Sequence, residues 1–254
     1  NFTMNHQANA PTSLLTEGST NPLKTSLTPY FSAIFEDGDA TETGTHYQIL
    51  VNTSSDFTGT TMWDSTKTQF GSPITNGSRS SNITYAGTTI EEGTTYYWKI
   101  RFCDENDLES VYSVVANFLT ESGPSAPSGL LFDGRPNPTY LLSTTPPFSA
   151  IYSDINGDSA SAYQINVNSN NLFTGTVIWD SGKQSITVAN GARSSDITYD
   201  GTALINSKNI YYWRIRFWDS DDMVGEWSST SYFTDSTVPQ FIMEGLSLQG
   251  IKID

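Results

Sequence analysis

The chain has 254 residues, enough for one large or two ordinary domains, and its 36% hydrophobic content excludes a disordered polymer. A formal net charge of −15 repels phosphate backbones, so nucleic-acid binding is not expected. The one cysteine excludes an internal disulfide, and no apolar run reaches the roughly 20 residues that a membrane helix needs, so no membrane insertion is expected in this segment.

The first nine residues precede the repeated part of the chain, and we predict an N-terminal extension over residues 1–9. It contains His6, and the second histidine, His46, lies at a predicted loop–strand junction. Neither histidine has a counterpart in the second half of the chain, and neither belongs to a catalytic or zinc-binding motif. Carboxylates are numerous, but nothing singles out a glycosidase pair. We therefore predict that the chain is not an enzyme.

Most of the remaining chain consists of two copies of one unit. Short motifs recur at an offset of about 115 residues, the length of a whole domain. The clearest pairs are "FSAIFEDGDA" (31–40) with "FSAIYSDINGDSA" (148–160), "FTGTTMWDS" (57–65) with "FTGTVIWDS" (173–181), and "YYWKIRFCDEND" (96–107) with "YYWRIRFWDSDD" (211–222). We predict domains at 10–121 and 122–235, joined within the linker "TESGPSAPSG".

Each unit shows alternating apolar residues in short runs separated by Gly, Asn and Pro. Tyr163, Ile165 and Val167, for example, share one face of a predicted strand. No segment has sustained helical periodicity. Seven short strands in about 110 residues are typical of an antiparallel β-sandwich. The predicted fold class is therefore all-β, with two tandem sandwiches.

The motif at 211–218 divides into two faces. Tyr211, Trp213, Ile215 and Phe217 are predicted to fill the core. The outward set is predicted to form a ladder in which cations lie against rings, and it comprises Tyr212, Arg214, Arg216 and Trp218 with Trp227 from the next strand. The first copy has Tyr96, Trp98, Ile100 and Phe102 inward, and Tyr97, Lys99 and Arg101 with Tyr112 outward. Cys103, the counterpart of Trp218, is predicted to be a packing residue.

These motifs resemble known domains. The "L…YYWRIRFWD…EWS…F" half resembles strands F and G of a fibronectin type III domain, with Leu204 and Tyr211, and Ile90 and Tyr96, similar to its tyrosine-corner pair. The pattern "WDSGK…ITYDGTAL…YYWRIRFWD" is similar to the accessory β-sandwich domain that precedes the catalytic barrel of bacterial α-L-rhamnosidases. The resemblance covers most of residues 10–235 and implies an immunoglobulin-like sandwich with an accessory role.

Acidic loops follow the predicted second and sixth strands of each unit, and these two loops meet at one pole of a sandwich. Clustered carboxylates and loop carbonyls provide the oxygen ligands that Ca²⁺ prefers. The candidate ligands are Asp37, Asp39, Asp104 and Asp107 in the first unit and Asp154, Asn156, Asp158, Asp219 and Asp221 in the second. The alternative is that these segments are simply solvated turns. No cofactor is predicted to be required, and Ca²⁺ is the one candidate.

Two further surface features are candidate sites. Tyr212, Trp218 and Trp227 are candidates for a carbohydrate-binding platform. Glycan acceptor sequons occur at Asn1, Asn52, Asn76 and Asn82, and they are used only in a secretory or archaeal-type pathway.

The tail at 236–254 is predicted to contain one further strand. Leu246, Leu248, Ile251 and Ile253 share one face if Gly250 forms a bulge. The strand either begins a further domain or is donated to the open edge of an identical subunit by β-strand addition.

The leading functional hypothesis is a non-catalytic structural or adhesive module pair of a larger extracellular or cell-surface protein, acting as a spacer, stalk or scaffold. The alternative is a carbohydrate-binding accessory module of a secreted glycoside hydrolase. The expected partners are neighbouring domains of the same protein, identical subunits or surface glycans.

Overall fold

The computed structural model describes residues 6–143, 145–204 and 207–236, and its regular elements there are all β-strands. Contacts divide the chain into unit 1 (Asn1–Gly123 with Ile155–Gly157) and unit 2 (Pro124–Asp154 with Asp158–Asp254). The described residues include no helix of sufficient length and hydropathy to cross a membrane. The predicted tail strand lies outside them.

Each unit contains eight described strands. In the first they are β1 (Thr12–Thr16), β2 (Tyr30–Ile34), β3 (Thr43–Asn52), β4 (Thr61–Asp64), β5 (Thr68–Thr75), β6 (Ile83–Thr84), β7 (Thr95–Asp104) and β8 (Ala116–Leu119). In the second they are β9 (Ser128–Phe132), β10 (Pro147–Ile151), β11 (Ala160–Asn168), β12 (Val177–Asp180), β13 (Gln184–Val188), β14 (Ile197–Thr198), β15 (Ile210–Asp219) and β16 (Ser231–Thr234).

Each unit has a three-stranded and a five-stranded antiparallel sheet. The orders are β1-β2-β6 and β4-β3-β7-β8 in unit 1, with β5 also paired to β3. Unit 2 repeats them as β9-β10-β14 and β12-β11-β15-β16, with β13 also paired to β11. The prediction of two tandem β-sandwiches is thus confirmed.

The prediction of seven strands per unit is wrong, because one edge strand is divided into two. Between β4 and β5 the chain makes a tight turn in which Asp64 Oδ1 accepts the N–H of Thr66 at 2.8 Å. Thr66 adopts a left-handed conformation with φ 51°, which interrupts the strand. Both β4 and β5 then pair with β3, at its C-terminal and N-terminal halves respectively.

The central strand pair of each unit sets the alternation of its side chains. In unit 1, β3 pairs with β7, which places Val51 opposite Trp98. In unit 2, β11 pairs with β15, which places Val167 opposite Trp213. Because successive side chains point to opposite faces, one such register directs a whole set of apolar residues inward. The predicted division of these strands into inward and outward faces is confirmed by their burial.

Aromatic rings fill both cores. Trp98 and Trp213 are fully buried, and they lie 4.6 and 4.8 Å, centroid to centroid, from the rings of Phe31 and Phe148. Burying a large apolar side chain stabilises a fold by about 1.5–3 kcal/mol. Tyr96 Oη also accepts the backbone N–H of Glu91 at 2.9 Å, as the tyrosine-corner resemblance implies.

Candidate functional site

Three carboxylates meet at one end of the first sandwich. Asp37 and Glu42 lie in the loop between β2 and β3, and Asp104 ends β7. One carboxylate oxygen from each residue lies within 4.8 Å of the other two. Asp37 is 8% exposed and Asp104 is 0% exposed. The loops after β2 and β7 therefore converge in this sandwich, as the sequence predicted.

Each of these carboxylates is held through one of its two oxygens. Asp104 Oδ1 accepts the backbone N–H groups of Asn106 and Leu108, at 2.8 and 2.9 Å. Glu42 Oε1 accepts the side-chain amide of Asn106 at 2.9 Å. Asp37 Oδ1 accepts the N–H of the residue two positions on, at 2.8 Å. Asn106 thus links Glu42 to Asp104.

The second oxygens of the same three residues have no hydrogen-bond partner among the described residues. They are Asp37 Oδ2, Glu42 Oε2 and Asp104 Oδ2, and all three atoms are inaccessible to solvent. Burial raises the pKa of Glu42, and Asp104, Asp37, Asp39 and Glu105 raise it further through their negative charges. The arrangement therefore concentrates negative charge at a site where three carboxylate oxygens have no donor among the described residues.

Asn76 fixes the loop that carries Asp37. Its side-chain oxygen accepts the backbone N–H of Asp37 at 3.0 Å, and its Nδ2 donates to the carbonyl of Asp37 at 2.8 Å. In the second sandwich Asn190 makes the same pair of bonds with the backbone of Asp154, at 2.9 and 2.8 Å. The β2–β3 loop is therefore held by two hydrogen bonds between the Asn76 side chain and the backbone of Asp37, which we call the Asn76 clamp.

Two of the predicted ligands lie outside the carboxylate cluster. Asp39 accepts the backbone N–H of His6 at 2.7 Å, and its carboxylate also contacts the His6 ring at 3.1 Å. Asp107 forms an ion pair with Lys67. The hydrogen bonds from His6 lower the pKa of Asp39, and the bond from Lys67 lowers that of Asp107. Glu42, which the sequence showed in the loop but did not mark as a ligand, joins Asp37 and Asp104 instead.

In the second sandwich Asp154, Asp158 and Asp219 occupy the corresponding positions. Asp219 is 0% exposed, and its Oδ1 accepts the backbone N–H groups of Asp221 and Met223, both at 2.9 Å. Burial raises the pKa of Asp219, and the nearby charges of Asp154 and Asp158 raise it too. The loop after β15 therefore holds its aspartate in the way that the loop after β7 does.

Asn156, also predicted as a ligand, is held by hydrogen bonds within unit 1. It belongs to the segment 155–157 that is part of unit 1. Its Nδ2 donates to the carbonyls of Leu23 and Thr120, at 2.6 and 3.0 Å, and its Oδ1 accepts the N–H of Ser122 at 2.9 Å. The side chain is thus engaged by the backbone of unit 1.

The predicted ladder on the outer face of the second sandwich is confirmed. The Arg214 guanidinium lies 4.1 Å from the Phe173 ring and 4.4 Å from the Trp227 ring. Arg216 lies 4.5 Å from Trp227 and 4.9 Å from Trp218. Such contacts contribute about 0.5–2 kcal/mol each, more when the cation is desolvated. Cations therefore already contact the rings of both predicted platform tryptophans.

The first sandwich has a shorter version of this ladder. Lys99 lies 4.0 Å from the Phe57 ring and 4.8 Å from the Tyr112 ring, and Arg101 lies 5.0 Å from Tyr112. Cys103 replaces the last ring and is buried, as predicted. Burial raises the pKa of the Cys103 thiol, which disfavours its reactive thiolate.

The phenylalanines of both ladders were missed from the sequence. Phe57 and Phe173 have left-handed conformations, with φ 61° and 57°, which is rare for a bulky residue. That conformation directs each ring onto the cation of the neighbouring strand. The "FTGT" motif, which occurs in both copies of the unit, was the only sequence feature that pointed to these phenylalanines.

The sequons occupy different environments. Asn52 is 1% exposed, and its Nδ2 donates to the Gly59 carbonyl at 3.2 Å. Asn76 is half-buried in its clamp, whereas Asn82 is exposed. Asn1 lies outside the described residues. Glycosylation at these four positions stays a prediction.

Comparison with known proteins identifies the family. The family model described as the Rha78A-like, N-terminal immunoglobulin domain matches residues 11–122 and again 127–237. The chain belongs to this family. The predicted resemblance to the accessory sandwich of α-L-rhamnosidases is thereby confirmed, and the family accounts for both sandwiches.

Similar proteins are much longer than this chain. An alpha-L-rhamnosidase of Formosa agariphila is 33% identical over 104 residues, and one of Alteromonas sp. (strain LOR) is 34% identical over 104 residues. These matches cover 40% and 39% of this chain but 11% of each relative. Among solved structures, the alpha-L-rhamnosidase from Dictyoglumus thermophilum is 19% identical, with a TM-score of 0.41, over 88% of this chain and 29% of that one.

Proposed function

We propose that the chain is a non-catalytic accessory pair of immunoglobulin-like modules within a larger extracellular or cell-surface protein, where it acts as a spacer or scaffold. The family match to an N-terminal immunoglobulin domain carries the proposal, because the rhamnosidase relatives match over about a tenth of their length. The use of the ring-bearing residues supports it. The inward rings fill the two cores and hold the sheets together, and the outward rings of Trp218 and Trp227 already lie against arginine side chains.

The nature of the larger protein is the second part of the proposal. Since the relatives are alpha-L-rhamnosidases, we expect the gene to encode a glycoside hydrolase domain beside these modules. The purified chain should then fold but release no product from an aryl α-L-rhamnoside, and the reading frame around it should encode the hydrolase. Turnover of the rhamnoside by the chain alone would contradict the non-catalytic role. A neighbouring domain unrelated to glycoside hydrolases would contradict the proposal that these modules accompany a hydrolase.

Carbohydrate binding is the second candidate function, and a groove in the second sandwich favours it. The groove has a volume of about 720 Å³, and Trp179, Tyr163, Asp180, Asp196 and Asp200 are among its lining residues. Aromatic rings beside carboxylates and hydroxyls are the chemistry that binds sugars, and the volume lies in the range of ligand sites.

A glycan array tests this candidate. Binding that disappears in Asp196→Ala would place a sugar in the groove, whereas binding that disappears in Trp227→Ala would place it on the predicted platform of Tyr212, Trp218 and Trp227. An array without bound glycans leaves the spacer role as the function of the pair.

A further inference from the structure

The carboxylate cluster of the first sandwich is not explained by its hydrogen bonds. Asp37 and Asp104 are more than nine-tenths buried, each has one carboxylate oxygen without a donor among the described residues, and each has a carboxylate oxygen within 4.8 Å of one of Glu42. A buried carboxylate that lacks a partner for an oxygen is strongly disfavoured, because its lost hydration is not replaced. Three such oxygens at one place therefore require a compensating positive charge or a proton.

The charges around the cluster do not supply that compensation. The groups that act electrostatically on Glu42 are Asp104, Asp37, Asp39 and Glu105, and all are acidic. Two basic residues of the described part of unit 1 are engaged by other acids, since Lys67 pairs with Asp107 and His6 contacts Asp39. The described residues thus provide ligands at this site, and a compensating cation would come from solution.

We infer that Asp37, Glu42 and Asp104 form a Ca²⁺ site that joins the β2–β3 loop to the end of β7. The three ligands are hard carboxylate oxygens, the type that Ca²⁺ and Mg²⁺ prefer over Zn²⁺, which favours His and Cys. Ca²⁺ fits better than Mg²⁺, because it tolerates irregular geometry and completes its shell with loop carbonyls and water.

The site is organised before the ion arrives. One oxygen of each carboxylate is held by an amide of the loops, and the other has no donor among the described residues. The Asn76 clamp fixes the loop that carries Asp37. A rigid arrangement of this kind reduces the ordering cost of binding. The bound ion would join the three-stranded sheet, which contains β2, to the five-stranded sheet, which contains β7.

A shared proton is the competing explanation. Burial and neighbouring acids raise the pKa of Glu42, so a protonated Glu42 would also relieve the repulsion. The two explanations predict different responses to Ca²⁺. The first requires saturable binding that Glu42→Gln weakens, whereas in the second Gln replaces a protonated Glu42 with little effect and added Ca²⁺ leaves the loops unchanged.

The experiment uses the full chain, freed of metal with chelator and titrated with CaCl₂ at pH 7 by calorimetry. Hydrogen exchange of the loops at 36–43 and 104–110 is followed in parallel. We expect saturable binding in the range of about 10⁻⁶ to 10⁻³ M, with slower exchange in both loops. Glu42→Gln and Asp104→Asn should each weaken the Ca²⁺-dependent protection of these loops at least tenfold, because affinity follows the number of charged ligands.

Matched controls are available in the same loops. Asp39→Asn and Asp107→Asn remove a neighbouring carboxylate that pairs with His6 or Lys67, and they should retain the loop protection. The Glu42→Gln change is also expected to leave the fold intact, because the Gln side chain keeps an oxygen that can accept the hydrogen bond from the Asn106 amide. The inference is overturned if Ca²⁺ leaves the exchange of both loops unchanged in the unsubstituted chain, or if Mg²⁺ or Zn²⁺ alone protects them.

Discussion

The inward residues of β7 and β15 are the same at four successive positions, whereas two of their four outward residues differ. Tyr, Trp, Ile and Phe occupy the inward positions of both strands. Outward, Lys99 corresponds to Arg214, Tyr112 to Trp227 and Cys103 to Trp218. The inward rings must interlock at near-crystalline density, so few changes fit. The outward ladder needs only a cation between aromatic rings. It therefore tolerates the exchange of one cation or ring for another, and the addition of a further ring.

The first prediction from this comparison is that the two cores lose similar stability when the equivalent tryptophan is removed from each. Trp98→Ala and Trp213→Ala should each destabilise their own sandwich by about 3–5 kcal/mol, because each removes a fully buried ring from an aromatic cluster. Within the described part of the chain the indole N–H has no hydrogen-bond partner at either position, so neither change removes a described hydrogen bond. Denaturant-dependent hydrogen exchange of β7 and β15 measures the two losses separately.

Outward variants provide the control for that measurement. Tyr97→Ala and Tyr212→Ala remove half-buried rings on the opposite face of the same strands and should cost much less. Losses at Trp98 and Trp213 that differ by more than about 2 kcal/mol, a large part of the expected effect, would show that the cores are not equivalent.

The second prediction concerns the ladders, where the sandwiches should differ. The Arg214→Met and Trp227→Leu changes should couple by about 1 kcal/mol in a double-mutant cycle, because a stacked guanidinium and an indole form the strongest such pair. The corresponding Lys99→Met and Tyr112→Leu changes should couple more weakly. The cycle is preferable to single variants, since burial lowers the pKa of Arg214 and shows that this cation also has a desolvation cost.

Unfolding monitored by hydrogen exchange of β15 and β7 gives both coupling energies. Equal coupling in the two sandwiches would mean that ring and cation type do not matter. A coupling energy near zero in the second sandwich would show that its ladder contributes only packing contacts and no specific cation–ring attraction.

The sequence predicted the two sandwiches and their inward faces, because period-two burial is a local property of each strand. Within the site, Asp37 and Asp104 were predicted because the position of their loops follows from topology. Glu42 was not marked as a ligand, since its placement depends on an amide of Asn106 that is 64 positions away.

The remaining differences have the same origin. Asp39 and Asp107 pair with His6 and Lys67, which the fold brings from distant segments, and no local pattern encodes those pairs. The predicted number of strands was wrong because the edge strand is interrupted at Thr66. This residue adopts a left-handed conformation with φ 51°, which a β-branched residue rarely adopts, so its type did not indicate the break.

That threonine gives the smallest and most local test of the comparison. Gly182 is its counterpart, with φ 58°, and nothing lies within 4 Å of a Cβ added there. The Gly182→Thr change should therefore destabilise the second sandwich by about 1 kcal/mol through backbone strain alone. The reverse change, Thr66→Gly, should stabilise the first by about 0.5 kcal/mol, since glycine relieves the strain but widens the unfolded ensemble.

The gain at Thr66 is smaller for a second reason, because its hydroxyl donates to the Ser65 carbonyl at 2.6 Å and that bond is lost. Exchange rates of β5 and β13 amides, measured with and without each change, give both values. Opposite signs at the two positions would show that one turn geometry is shared and that only its residue differs. A destabilising Thr66→Gly would mean that the hydroxyl bond outweighs the strain, and that the two turns are held by different means.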